Sequence, residues 1–443
     1  MAWSGRRLVA CISRQGADGD SETACGSGQH RGRRPRAGRA GGMKLGRRDY
    51  EMMIPVLTLA LMTIGAFAVY SASNAGGGSH FYRQLIYMGI GLGVGIVIAL
   101  VPDRLTFAFS YVAYTVALML LALVLLVGTG PTGRWLGVGA FHIQPSELAK
   151  PATVLALARF LSDQRNVLTK PMNVLSMVII AAIPFGLILI EPDMGTSLVI
   201  PVITGAMAFY AGIPLLIVVL VVSPVAVMVA SINPYALVIV IGALILFAYF
   251  TGVRMPLALL WGAAMGGIGY LTPKLWMQLQ PYQRDRLTTF LSPESDPLGA
   301  GYQMIQSKVA IGSGEFWGRG FLQGSQTQRG FLPEQHTDFI FSVIGEELGF
   351  AGAALVLILF WLLILRMLYM ARKVHNPFAR LTIIGVASVI GFQVLVNVGM
   401  TVGLMPITGL PLPLLSYGGS SMLTTMMMIG LATGMSSRWK QRG

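Results

Sequence analysis

Long apolar runs broken by short polar turns fill the chain from Met52 onward. They fall near Met52 to Ala72, Leu85 to Val101, Leu105 to Gly128, Glu147 to Leu161, Met172 to Ile190, Ser197 to Gly212, Pro214 to Ala230, Tyr235 to Gly252, Pro256 to Leu271, Phe339 to Met370, Leu381 to Leu404 and Ser421 to Met435. Runs of this length match the thickness of a bilayer's hydrocarbon, so the pattern predicts an all-α, polytopic membrane bundle of about twelve spans. One stretch breaks the pattern. Residues 272–337 hold Arg284, Asp285, Arg286, Glu294, Asp296, Lys308, Glu315, Arg319, Glu334 and His336, which hydrocarbon would reject. This stretch is expected outside the lipid, and the chemistry with it.

Composition supports that placement: 54% of the 443 residues are hydrophobic and 11% charged, with a mean hydropathy of +0.67. The net charge of +14 does not argue for a nucleic-acid partner, because half of it sits in residues 1–49, where eleven Arg and Lys face four acids. A tail of Gly, Ser and Arg without apolar positions cannot build a core, so residues 1–48 read as a disordered cytoplasmic tail preceding a membrane domain over 49–443. Met43, heading MKLGRRDYE, offers a second start, which would make residues 1–42 an upstream extension. Cys11 and Cys25 both lie in the tail, so no disulfide or thiol-bound metal frames the body. No small-residue cleavage site precedes the first span, which is expected to act as an uncleaved anchor.

Basic residues set the orientation. Arg104, Arg165, Lys170, Arg254, Arg366, Arg372, Lys373, Arg380, Arg438, Lys440 and Arg442 fall on the side of the N-terminus when the spans are threaded in order. The same threading gathers four segments on the opposite, outer side: 129–146, 191–197, 272–337 and 405–420.

Each of these segments carries candidate chemistry. In Gln144-Pro145-Ser146-Glu147-Leu148-Ala149-Lys150, proline stands where a helix would begin, and Glu147 and Lys150 are three apart on one face. A structural ion pair and a substrate contact are equally open readings of that spacing. In Glu191-Pro192-Asp193-Met194-Gly195-Thr196-Ser197, Asp193 can cap the next helix or meet a cation or sugar hydroxyl. Within 272–337 the order is Pro293-Glu294-Ser295-Asp296-Pro297-Leu298-Gly299-Ala300-Gly301-Tyr302-Gln303, then Gln306-Ser307-Lys308, then Leu332-Pro333-Glu334-Gln335-His336-Thr337-Asp338. Taken alone, Ser-Asp-Pro-x-Gly is ordinary turn chemistry and His336 an ordinary structural histidine.

Together, RW…QPSELAK, EPDMGTS, PESDPLGAGYQMIQSK, LPEQHTDFIF…EELG and PLPLLSYGGSS resemble the SEDS family, the shape, elongation, division and sporulation proteins, from about Arg47 to the C-terminus. The wording around Asp296 and the run Gly324-Ser325-Gln326-Thr327-Gln328 is more similar to the elongation branch than to the division branch. The resemblance implies a peptidoglycan glycosyltransferase that polymerises lipid II on the outer face of the cytoplasmic membrane, with undecaprenyl pyrophosphate leaving under inversion. It implies that Asp296 is the catalytic general base. It also implies substrate-binding roles for Arg134, Lys150, Asp193, Arg286, Lys308 and His336, and gives weight to Asp338. Arg134, Arg286 and Lys308 have the charge to hold pyrophosphate oxygens. The resemblance further implies a class B penicillin-binding protein and rod-complex proteins as partners. Mg²⁺ or Mn²⁺ shared with the pyrophosphate is the expected cofactor, since no zinc-type ligand spacing is present.

Two departures stand out. The material near Pro214 to Leu271 reads as one helical hairpin added to the family's usual ten spans, and Glu315 stands where glycine is common. Two rival functions are a lipid II flippase or other transporter, which broken helices at 191–197 would suit, and a scaffold without chemistry.

Overall fold

The structure is a computed structural model. It describes residues 52–74, 79–128, 133–138, 141–163, 171–191, 193–212, 233–278 and 300–438, with isolated positions between 219 and 231. Compactness divides the chain into residues 1–46 and 47–443, and every described residue belongs to the second unit. The basic tail, most of the run Pro214 to Ala230, Arg286 and Asp296 lie outside the described residues.

The described elements are α1 (Met53–Asn74), α2 (Ser79–Leu100), α3 (Asp103–Val127), β1 (Leu136–Val138), β2 (Phe141–Ile143), α4 (Pro145–Asp163), α5 (Pro171–Ile190), α6 (Met194–Tyr210), α7 (Pro234–Phe250), α8 (Met255–Gln278), α9 (Ala300–Ser313), α10 (Ser325–Gln328), α11 (Ile340–Lys373), α12 (Pro377–Thr401) and α13 (Gly419–Ser437). The two strands form one small antiparallel hairpin, and the remainder is a bundle of helices. Among the described residues, seven helices are long and apolar enough to cross a membrane: α1, α2, α3, α5, α8, α11 and α12. α6 and α7 are apolar but shorter.

Run length alone predicts about twelve spans, and the described residues show why they are not all alike. α4 carries Ser146, Glu147, Lys150 and Thr153, all buried, and α13 buries Ser420, Thr424, Thr425 and Ser436. These helices are less apolar because they turn polar groups into the bundle, where Ser146, Glu147, Lys150 and Thr424 find partners. α12 is the centre: 72% of its apolar window is buried, against 17% for α2, and it packs on α4, α6, α11 and α13. α2 and α13 pack closely because small residues face each other; a Cβ on Gly430 or Gly434 would collide with the carbonyl oxygens of Gly95 and Ala99. α7 and α8 pair with each other, and Ala248 is the one buried residue of α7. They form the second half of the region expected to hold the added hairpin.

α11 is kinked, not straight. Gly349 has φ 66° and ψ −165°, and a Cβ there would collide with the amide nitrogen of Gly318. The loop 315–320 fills the break. Arg319 and Gly320 donate their N–H groups to the carbonyls of Glu346 and Glu347 at 3.0 Å each, while Phe350 and Ala351 donate to Glu315 and Phe316 at 2.9 and 3.1 Å. The backbone groups freed by the kink are thus re-paired. Glu315 itself has φ 48°, the left-handed region where glycine is unstrained, which gives its departure from the usual glycine a physical cost.

Candidate functional site

The four polar segments that sequence places on one side meet at one end of the bundle. Arg134 Nε donates to the carbonyl of Glu191 at 3.0 Å, Gln144 N to Ser420 Oγ at 3.2 Å, and Gln144 Nε2 to Asp193 Oδ2 at 2.9 Å. Tyr417 N donates to the carbonyl of His336 at 2.8 Å, which joins the stretch before α11 to the loop before α13.

α4 begins at Pro145, as proline at the first helical position favours. Its first turns aim Glu147 and Lys150 inward. Lys150 is 0% exposed, and its Nζ lies 2.7 Å from both carboxylate oxygens of Glu147, of which Oε2 also accepts from Thr424 Oγ1 at 2.9 Å. The spacing of three residues therefore makes a buried pair tied to α13, and both charges persist because they compensate one another.

Asp193 caps α6, accepting from Thr196 N at 3.2 Å, and also accepts from Gln144 Nε2 and from Ser146 Oγ at 3.2 Å. Three donors fill this carboxylate. Glu191, two residues earlier, is 3% exposed, and neither of its carboxylate oxygens has a hydrogen-bond partner. Burial pushes its carboxyl up to about 8, Asp193 pushes the same way, and Arg134 opposes both.

A second cluster flanks this web. The rings of His80 and His336 stack at 4.5 Å, and Tyr417 meets them at 5.0 and 5.5 Å. Burial, and then the neighbouring His80, hold His336 below the usual histidine range. Gln84 ties α2 to the same loop, donating to the Ser416 carbonyl at 3.2 Å and accepting from Gly418 N at 3.3 Å. Lys308 is exposed on α9 with its side-chain end over Gly403. The preceding Ser307 pins α9 to the bundle by bonds to Ser342 Oγ at 2.6 Å and the Thr401 carbonyl at 2.7 Å. Asp338 offers its carbonyl to Asn397 Nδ2 at 2.9 Å.

The structure thus joins Arg134, Glu147, Lys150 and Asp193 in one polar web and sets His336 beside it. Lys308 stands apart on α9, and Arg286 and Asp296 lie outside the described residues. Sequence reasoning missed Gln144, Ser420, Thr424, His80 and Tyr417 as members of the site. Gln144, Ser420 and Tyr417 stand inside the quoted motifs, which is the signal that could have found them. Among the described residues no three of His, Cys, Asp and Glu converge as metal ligands.

The model of the cell cycle protein family named for FtsW, RodA and SpoVE matches residues 51–241 and 215–441. The chain belongs to this family. The peptidoglycan glycosyltransferase MrdB of Escherichia coli K12 is 36% identical to this family member over 380 residues, spanning 85% of this chain and 90% of the relative. The peptidoglycan glycosyltransferase RodA of Treponema pallidum is 35% identical over 437 residues, spanning 88% and 98%. A probable FtsW of Coxiella burnetii is also 35% identical, over 399 residues, spanning 86% and 95%. Among solved structures, a chain from a peptidoglycan synthase complex that coordinates polymerization and crosslinking aligns with a TM-score of 0.66 at 33% identity, covering 89% of this chain and 99% of its own. The Thermus thermophilus rod shape determining protein RodA aligns with a TM-score of 0.59 at 27% identity, covering 89% and 98%. With these relatives and its apolar helices, the chain is a multi-pass membrane protein.

Proposed function

We propose that this family member is a peptidoglycan glycosyltransferase that polymerises lipid II. The observation that carries the reading is the web of half-buried Arg134 with buried Glu147, Lys150 and Asp193, assembled from the same motifs that define the family resemblance. In the reaction, an acceptor sugar hydroxyl attacks the donor's anomeric carbon, the carbon–oxygen bond to pyrophosphate breaks, and undecaprenyl pyrophosphate departs with inversion. Asp296 takes the hydroxyl proton as general base. It stands four residues before α9, a helix anchored through Ser307. Arg134, with Arg286 and Lys308, supplies positive charge to the departing pyrophosphate, where charge accumulates in the transition state. Lys150 and Asp193 hold the scaffold behind the substrate, and His336 lines its flank. Mg²⁺ or Mn²⁺ enters only as an ion shared with the pyrophosphate, and no step is assigned to it.

The reading extends to the cell. The wording around Asp296 and in residues 324–328 favours elongation over division. A class B penicillin-binding protein and rod-complex proteins are then the partners, and the solved synthase complex is the precedent for the first of these. The reading puts both termini in the cytoplasm and the web on the outer face of the inner membrane, and the basic residues at the end of the bundle where Arg438 pairs with Asp103 at 2.8 Å support it.

The test is glycan-chain formation from lipid II by the purified protein with its penicillin-binding protein, beside Asp296→Ala. Chains from the wild type, at least about a thousandfold fewer from a folded variant, are expected for loss of a general base. Equal rates would remove Asp296 as base. No chains from the wild type, with lipid II still bound and crossing vesicle membranes, would favour the flippase.

A further inference from the structure

The web leaves one carboxylate unexplained. Glu191 is 3% exposed, both of its oxygens are enclosed without a donor, and it stands on the same turn as the filled carboxylate Asp193. A buried ion with no hydrogen bond is among the costliest groups a protein can hold. Arg134 does not rescue it by direct contact, because its Nε is directed at the Glu191 backbone carbonyl and the carboxylate has no partner. Among the described residues, the charges facing Glu191 are few. Asp193 lies on its own turn, Arg134 comes from the segment before β1, and α4 brings the mutually compensated Glu147 and Lys150. α13 contributes only the hydroxyls of Ser420 and Thr424. With Glu191 uncharged, Arg134 faces one carboxylate of this turn, Asp193; with Glu191 ionised, it would face two.

We propose that Glu191 is a positioning residue that stays uncharged beside Arg134, so that Arg134 keeps its positive charge for an anionic phosphate group of the substrate. The role of Arg134 toward pyrophosphate rests on the function proposed above; the charge state of Glu191 does not. The direction of its titration agrees, since burial and Asp193 raise it to about 8. Ionisation above that pH would set a carboxylate against the phosphate that Arg134 serves.

The experiment compares wild type with Glu191→Gln, which imitates the uncharged acid, using two readouts. In the first, the thermal midpoint is followed from about pH 5 to 9. A native carboxyl titrating above its unfolded value makes the native state bind more protons between the two values, so wild-type stability falls with rising pH across that window. The variant has no such fall, and its advantage in Tm should widen from about pH 5 to 8 and then stay constant. In the second, glycan formation from lipid II is measured over pH. The variant should match wild type near pH 7, while at pH 9 the wild type should have lost about tenfold in kcat/KM, chiefly through KM, and the variant should not.

Parallel Tm curves would overturn the uncharged state. An equal alkaline limb in both proteins, or a folded variant inactive at pH 7, would overturn the link to Arg134. If the wild type makes no glycan, the polymerase reading fails while the Tm curves still decide the charge state. Should Glu191→Gln not fold, Glu191→Met, uncharged and of similar length, is carried through both arms, and failure of both neutral variants to fold would mean that the carboxylate is needed as an ion.

Discussion

The kink of α11 and the turn between α5 and α6 both bury neighbouring carboxylates, with different outcomes. At the kink, Glu346 accepts from Gln326 N at 2.8 Å, Thr327 N at 3.0 Å, Thr327 Oγ1 at 2.7 Å and Ser325 Oγ at 3.2 Å. Glu347 accepts from Ser71 Oγ and, at 3.4 Å, from Gln328 Nε2. Those two acids act as staples, binding the helical turn α10 and helix α1 to the start of α11. At the α5–α6 turn, Asp193 is filled in the same way while Glu191 is left bare. Where a carboxylate only builds structure, donors converge on it. A carboxylate enclosed without donors is free to change its charge, and Glu191 is the one whose own backbone carbonyl accepts from Arg134.

The comparison predicts that removing a charge costs most where charges are paired. Lys150→Met would leave Glu147 buried and uncompensated, at about 3–5 kcal/mol. Chemical denaturation in detergent should show that loss, and most of it should return in the double variant Glu147→Gln with Lys150→Met. A loss under about 1 kcal/mol would mean that the pair contributes little. The staple comes next. Glu346→Ala removes the acceptor of two amides and two hydroxyls, those of Thr327 fully buried, which costs about 3 kcal/mol in all at the usual penalty for unsatisfied groups. Glu346→Gln keeps one acceptor oxygen and should lose about half as much. Equal losses in the two variants would show that charge, not acceptor count, holds α10.

Much of the site was legible from spacing. Glu147 and Lys150 three apart, with proline ahead of them, define a helix start with a pair on one face, and Asp193 before Gly-Thr-Ser defines a cap. The basic loops correctly grouped the four segments that now touch. What spacing could not carry was depth. Phe339 to Met370 reads as one continuous apolar run because nothing local marks Gly349 as a break; the kink exists only because residues 315–320 arrive from elsewhere to pair its freed backbone groups. Likewise, the contrast between Asp193 and Glu191 depends on which donors arrive from α4, and Gln144 and Ser146 choose one acid over the other. The run of twelve similar segments likewise hid α4 and α13, whose polar positions are inward and are therefore tolerated inside a membrane bundle.

The smallest expected effect tests whether the web is as tightly filled at its edge as at its centre. Thr424 Oγ1 lies 2.9 Å from Glu147 Oε2 and also 2.9 Å from the Ser420 carbonyl, within its own helix. One hydroxyl proton cannot serve both acceptors fully, and the carboxylate is the stronger of the two. Thr424→Val keeps the branched shape, so packing against α4 is preserved, while Glu147 keeps Lys150 as its partner. The loss should therefore be about 1 kcal/mol, the net value of one hydrogen bond, and it should vanish when the same change is made in a background of Glu147→Met with Lys150→Met, which leaves no acceptor at position 147. A loss that persists there would place the value of Thr424 in its own helix and detach α13 from the charge web, leaving Gln144 and Ser420 as the polar link between them.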